Sequence, residues 1–226
     1  KKHLRHAANL GKRCGLTVRE LSWTEIDQNE VHRISESWRL HKTVNNRELK
    51  LLTRPPEFRN EWEVRKFYCF EGKSLLGYVF FDPYFENGKV IGYCANIIRK
   101  CPQAKPSDLL DYIILEAIKI FRQEGIGQLS LGISPLYNIE QETGDRAIVR
   151  GLQKFLYHHG NSLYAFKPLA YHKTRYRGDE NKWYICTRNI SLIKTALAVL
   201  QGTQLAPKIN HTDRNRVHPL SISMAE

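Results

Sequence analysis

The strongest constraint in this chain lies between Pro106 and Leu136, where a long apolar helix signal stops on glycine and runs straight into a strand. Pro106, Ser107 and Asp108 suit a helix start, and Leu110, Ile113, Ile114, Ala117, Ile118 and Phe121 then recur on one wide face until Gly125. Such a face has to cover a sheet. The stretch from Gly127 to Leu136, GQLSLGISPL, predicts a strand over 128–134, with Leu129 and Leu131 opposed to Ser130. Gly132 allows another backbone or a ligand to approach, and Pro135 stops the ladder. A strand end of this kind is where an α/β domain places the mouth of a site.

Upstream the period changes. Residues 1–14 read as a basic helix ending at Gly15, Leu16 to Trp23 alternates as a short strand, and Thr24 caps a helix to His41 carrying Ile26, Val31, Ile34 and Trp38. Strands are expected at 64–70, 74–81 and 90–98, joined by Glu71-Gly72 and by Asp82-Pro83 with Asn87-Gly88, an antiparallel meander. Downstream, a helix from Asp145 to Gly160 carries Ile148, Leu152, Phe155 and Leu156. Residues 161–178 mix aromatics with cations, 182–187 reads as a last strand, and 190–200 as a final helix. The order implies an α+β (mixed α/β) fold with a central, mostly antiparallel sheet flanked by helices. It divides into a basic linking segment at 1–20 closing a preceding domain, a main domain at 21–202 and a loosely held tail at 203–226.

With 226 residues, 42% of them hydrophobic and 26% charged, the chain can bury a real core. No window approaches the roughly 18 consecutive apolar residues of a membrane span, and Lys1-Lys2-His3-Leu4-Arg5 is no signal peptide. The opening on Lys1 instead of Met suggests a segment of a longer protein. Five cysteines, widely spaced and without a C-x-x-C pair, read as reduced thiols in a cytoplasmic protein. Nine histidines include no H-E-x-x-H pattern, so no metal is expected. The net charge of +12 selects polyanionic partners: nucleic acid, phospholipid headgroups or a polyphosphate cofactor.

Arg122 to Gly127 spells the R-x-x-G-x-G with which GNAT-type N-acyltransferases cradle coenzyme A. That loop needs a strand before it and a helix N-terminus after it, so that free N–H groups face the phosphates. Here the order is reversed, and the glycines read as a helix stop. The segment from Leu163 to Tyr176, LYAFKPLAYHKTRY, could stack on bases and pair phosphates, or could plug the core with its aromatics while its cations stay in water.

From Asp111 through LSLGISPL to YAFKPLAYHKTRY the chain resembles the C-terminal catalytic domain of the phosphatidylglycerol lysyltransferase family, bacterial enzymes that move an aminoacyl group from aminoacyl-tRNA to a membrane lipid. Asp111, Leu131, Gly132, Pro135, Leu136, Tyr164, Phe166, Leu169 and Lys173 match the family pattern. His172, Arg175 and Tyr176 depart from its Phe, Lys and Phe, and Asn96 to Arg99 resembles its D-L-M-R with the Asp lost. The opening Leu4 to Asn9 is similar to the helix that precedes this domain in soluble relatives.

The resemblance implies a tandem GNAT-like acyltransferase fold and an enzyme acting at the inner face of the membrane. Asp111 and Lys173 are the expected catalytic residues, and Arg99, Gly132, Ser134, Arg175 and Tyr176 the expected substrate-binding ones. An acidic side chain should receive the donor's ammonium or act as base, and Asp111 fits, although a carboxylate in the first turn of a helix needs no site. Lys173, Arg175 and Arg99 would grip phosphates, and Gly132 and Ser134 would supply hydrogen-bond donors. Aminoacyl-tRNA would be co-substrate and anionic phospholipid the partner, with no further cofactor. The alternatives are an acyl-CoA-dependent N-acyltransferase, with coenzyme A as cofactor, and a non-catalytic basic domain binding nucleic acid or anionic lipid.

Overall fold

The computed structural model describes residues 2–42, 53–185, 188 and 191–205. One five-stranded sheet runs in the order β1 (Leu16–Glu20), β2 (Arg65–Glu71), β3 (Ser74–Glu86), β4 (Lys89–Lys100) and β5 (Gln128–Ser130). The first four pair antiparallel, and β5 joins β4 in parallel. Helices α1 (Lys2–Arg13), α2 (Gln28–Leu40), α3 (Leu109–Gln123), α4 (Ala147–His159), α5 (Phe166–Thr174) and α6 (Leu192–Gly202) complete the described architecture. This is the expected mixed α/β arrangement, with a mostly antiparallel sheet flanked by helices. No helix among the described residues is long and apolar enough to cross a membrane.

Alternation along β2 and β3 builds two cores from one sheet. Phe67, Cys69, Val79 and Phe81 meet Ile113, Ile114, Ala117 and Phe121 of α3, whereas Tyr68, Phe70, Tyr78 and Phe80 meet Val31 and Ile34 of α2. Both faces are covered, so β2 buries Phe67, Tyr68, Cys69 and Phe70 in an unbroken run. The basic opening helix packs on α3, with Gly11 so near that a Cβ there would lie 2.5 Å from the Tyr112 ring.

The reading of Gly125 as a helix stop holds in detail. The Gly125 N–H donates to Arg122 O at 3.2 Å and the Ile126 N–H to Phe121 O at 2.9 Å, with Gly125 at φ 79°, a complete Schellman motif. Other expectations need correction. The cap of α2 is Asp27, whose carboxylate accepts from Asn29 and Glu30 N–H, while the Thr24 hydroxyl pairs with Ser22 in the turn before it. Strand β3 passes through Asp82-Pro83 to Glu86, and the hairpin turns on Asn87-Gly88 alone, at φ 50° and 75°. Strand β5 stops at Ser130 instead of 134, because Gly132 takes φ 75° and its N–H turns back to Ser130 Oγ at 3.0 Å. Residues 166–174 form α5. Residues 182–185 form no strand; Lys182 is held instead by Glu140 and Glu142. Cys186, Thr187 and the tail from 206 lie outside the described residues.

The short β5 sets up the site. Its ladder with β4 covers only Gly92↔Gln128, Tyr93↔Leu129 and Cys94↔Ser130, after which β4 runs on to Lys100 and the two strands part. At that point the β3–β4 register jumps from Phe81↔Ala95 to Phe80↔Ile97, which leaves Asn96 as the extra residue of a bulge. A Cβ at Gly92 would stand 2.6 Å from Gln128 Cβ and 2.7 Å from Gln128 O. Gly92→Ala should therefore push β5 off β4 and lower stability by about 1–3 kcal/mol, read by thermal unfolding.

Candidate active site

Asp111 sits in the first turn of α3 and is 3% exposed, although it is a carboxylate on a helix that otherwise buries aliphatic and aromatic side chains. Four groups converge on it, as a buried carboxylate requires. Tyr176 O–H donates to Oδ1, the His3 ring lies 3.0 Å from Oδ2, Arg175 Nη2 lies 3.5 Å from Oδ2, and His172 Nδ1 lies 3.7 Å from Oδ1. Burial and the adjacent carboxylate together raise the Tyr176 pKa, so its phenol stays protonated and keeps donating.

Arg175 ties the cluster together, with Nη2 donating to His172 Nδ1 at 2.8 Å and Nη1 lying 2.7 Å from His3 Nε2. His172 can accept at Nδ1 only while that nitrogen carries no proton, and burial lowers its pKa accordingly, against the pull of Asp111. His3 is in conflict. The same Nε2 faces Asp111, which needs a donor, and Arg175, which needs an acceptor, so His3 can satisfy one of them at a time. One nitrogen or oxygen each of His3, Asp108 and Asp111 fall within 4.8 Å of one another, as metal ligands would. The Arg175 guanidinium lies 3.5 Å from Asp111 Oδ2 and 2.7 Å from His3 Nε2, so a fixed cation already stands beside these residues.

Lys173, one residue along α5, points elsewhere. Its ammonium donates to Ile133 O at 2.6 Å, and a Cβ on Gly132 would lie 3.7 Å from both Lys173 Nζ and Cys94 Sγ. Lys173 therefore stands where β4 and β5 part, beside the exit of β5. Burial pulls its pKa down to about 8. The loop that follows is strained, with Leu136 at φ 59° and Asn138 at φ 52°. Behind it lies an open depression of about 250 Å³ that Tyr137 and Tyr157 line together with Lys154 and His158 of α4.

Of the residues singled out in the sequence, the structure brings Asp111, Arg175 and Tyr176 into one cluster and Lys173 and Gly132 into another, with α5 carrying Lys173 next to the Asp111 group. Ser134 lies in the loop, its carbonyl accepting the Tyr137 N–H at 3.3 Å. Arg99 does not join them: it is buried on the α2 face of the sheet, bonded to Ser35 Oγ, with its guanidinium 4.7 Å over Trp38. His3 and His172 are the additions. His172, Arg175 and Tyr176, three of the departures from the family pattern, surround Asp111 as one face, at i, i+3 and i+4. His3 is 108 positions from Asp111 and had no local signal.

Residues 1–187 match the family described as phosphatidylglycerol lysyltransferase, C-terminal. The chain belongs to this family. It is thus a domain of a transferase family. An uncharacterized protein of Corynebacterium glutamicum is 25% identical over 205 residues, covering 87% of this chain and 25% of that protein. The structure of L-PGS from Bacillus licheniformis has the same fold, with a TM-score of 0.62 at 16% identity over 89% of this chain and 59% of that one. A ribosomal-protein-alanine N-acetyltransferase from Brucella melitensis aligns with a TM-score of 0.43 at 11% identity, over 78% of this chain and 98% of that one. The chain thus spans a quarter of the length of its curated relative.

Proposed function

We propose that this domain transfers an aminoacyl group from aminoacyl-tRNA to phosphatidylglycerol or a similar amphiphilic acceptor. The observation that carries the reading is the placement of Lys173, largely desolvated, at the parting of β4 and β5, on the same helix end as an arginine held by a buried carboxylate. The acceptor hydroxyl has to lose a proton as it attacks the ester carbonyl, and the released ribose hydroxyl has to gain one. With a pKa near 8, roughly a tenth of Lys173 is neutral at pH 7, enough to take the first proton and return it to the leaving group. Backbone N–H groups on the β4 edge that β5 vacates past Cys94 would receive the oxyanion. Arg175 would meet a phosphate of the lipid or the tRNA end. Both Asp111 oxygens are engaged, so its proposed part is to orient Arg175 and Tyr176.

Coenzyme A fits less well. A helix N-terminus that receives pyrophosphate needs unopposed N–H groups, and α3 opens with Asp108 and Asp111. The test is transfer of radiolabel from a panel of aminoacyl-tRNAs into phosphatidylglycerol vesicles. Labelled lipid with the wild type and none with Lys173→Ala is expected; wild-type protein that turns over only acyl-CoA would overturn the reading.

A further inference from the structure

Among the described residues, helix α4 is covered on one side only. Val149, Gln153, Leu156 and Tyr157 are partly buried, whereas Ile148, Leu152 and Phe155 are 88%, 56% and 59% exposed. At 3.6 residues per turn these three fall in one line, which His159 extends by stacking on Phe155 with ring centroids 4.7 Å apart. The sequence periodicity that looks like a core face is therefore turned to solvent.

The charges around the stripe are one-sided. Helix α4 contains no carboxylate, and the acids leading into it are taken: Glu140 and Glu142 pair with Lys182 at 2.8 and 2.6 Å, and Asp145 with Arg150 at 2.6 Å. Exposed Lys154 and His158 flank the stripe and line the 250 Å³ depression beside the strained loop. An acid-free helix with an apolar stripe and a cationic flank complements an anionic bilayer surface, and it suits a protein surface of mixed charge poorly.

We propose that α4 seats the domain on an anionic phospholipid bilayer, with Ile148, Leu152 and Phe155 entering the interface and Lys154 and His158 receiving a headgroup phosphate in the adjoining depression. The inference deepens the lipid-acceptor reading, yet docking requires neither donor nor chemistry. From α4 the chain passes through the 3-10 turn Gly160–Ser162 into α5, so a seated α4 would fix the helix that carries Lys173 relative to the membrane.

Co-sedimentation of the 226-residue chain with phosphatidylcholine vesicles, plain or doped with phosphatidylglycerol, tests this. The wild type should bind the doped vesicles. Leu152→Asp with Phe155→Asp should lower that binding at least about tenfold with the unfolding transition unchanged, since both side chains face solvent. Lys154→Glu should weaken binding to doped vesicles and flatten its salt dependence. Sedimentation needs no aminoacyl donor and no turnover, so a failure of the transfer reading leaves this result standing. Wild-type protein that ignores both vesicle types, a double Asp variant that still binds, or a dimer that this variant dissolves would each overturn the proposal.

Discussion

Asp111→Ala is expected to lower stability by about 3 kcal/mol and, on the proposed assignment, to reduce transfer at least about a hundredfold. Truncating one member of a buried ion pair strands the other, and Arg175 would be left beside His3 and His172, with Asp108 4.0 Å from the other ring nitrogen of His3. The loss stops short of the largest known because Arg175 and His3 retain some solvent. Arg175 Nε is already buried without a hydrogen-bond partner, so the guanidinium has little else to turn to. Asp111→Asn keeps an oxygen for Tyr176 and should lose only about 1–2 kcal/mol. Chemical denaturation and the transfer assay, run on both variants, separate the possible roles. A positioning residue gives graded effects, with the Asn variant between wild type and Ala. Equal inactivation of two variants that unfold like the wild type would put the carboxylate in the chemical step instead.

The sheet and α3 were legible because their signals are local. Alternation, the Asn87-Gly88 turn and the glycine after α3 each act within a few residues, and tertiary packing agrees with all of them. The errors have physical causes. Thr24 and Asp27 are both good caps, and three positions decide between them only through where Ser22 and Glu25 bond. Pro83 looks like a break, yet a proline lacks only its own N–H, and β3 can carry it on toward a hairpin end. The apolar periodicity of α4 specified a helix but not which way it faces, because a stripe reads the same whether a core or something outside the chain covers it. The cluster was half legible. Asp111, Lys173, Arg175 and Tyr176 stand out through the family likeness, whereas His3 enters through the packing of α1 on α3, which no spacing encodes.

Lys173 should combine a cost in stability with a large gain in rate. Its pKa is lower in the fold than in the unfolded chain, so the fold disfavours the ammonium, and the penalty is fully present below the folded value of about 8. It is relieved as pH rises from there toward the ordinary lysine value. A shift of this size is worth about 3 kcal/mol before solvent screening, and roughly 1–2 kcal/mol after it and after loss of the bond to Ile133 O. Lys173→Met, which keeps the length and removes the charge, should therefore be more stable than the wild type at pH 7 by that amount while losing transfer by about a hundred- to ten-thousandfold. The pH profile distinguishes base from phosphate grip. A base gives a wild-type rate that climbs to about pH 8 and levels, and Lys173→Arg is then inactive because an arginine does not deprotonate. A grip gives a rate that falls above pH 8 and an arginine variant that works. On the proposed assignment, Lys173 serves through its proton at the point where two strands part, and a Lys173→Met domain that is less stable than the wild type and still active would remove the basis for that claim.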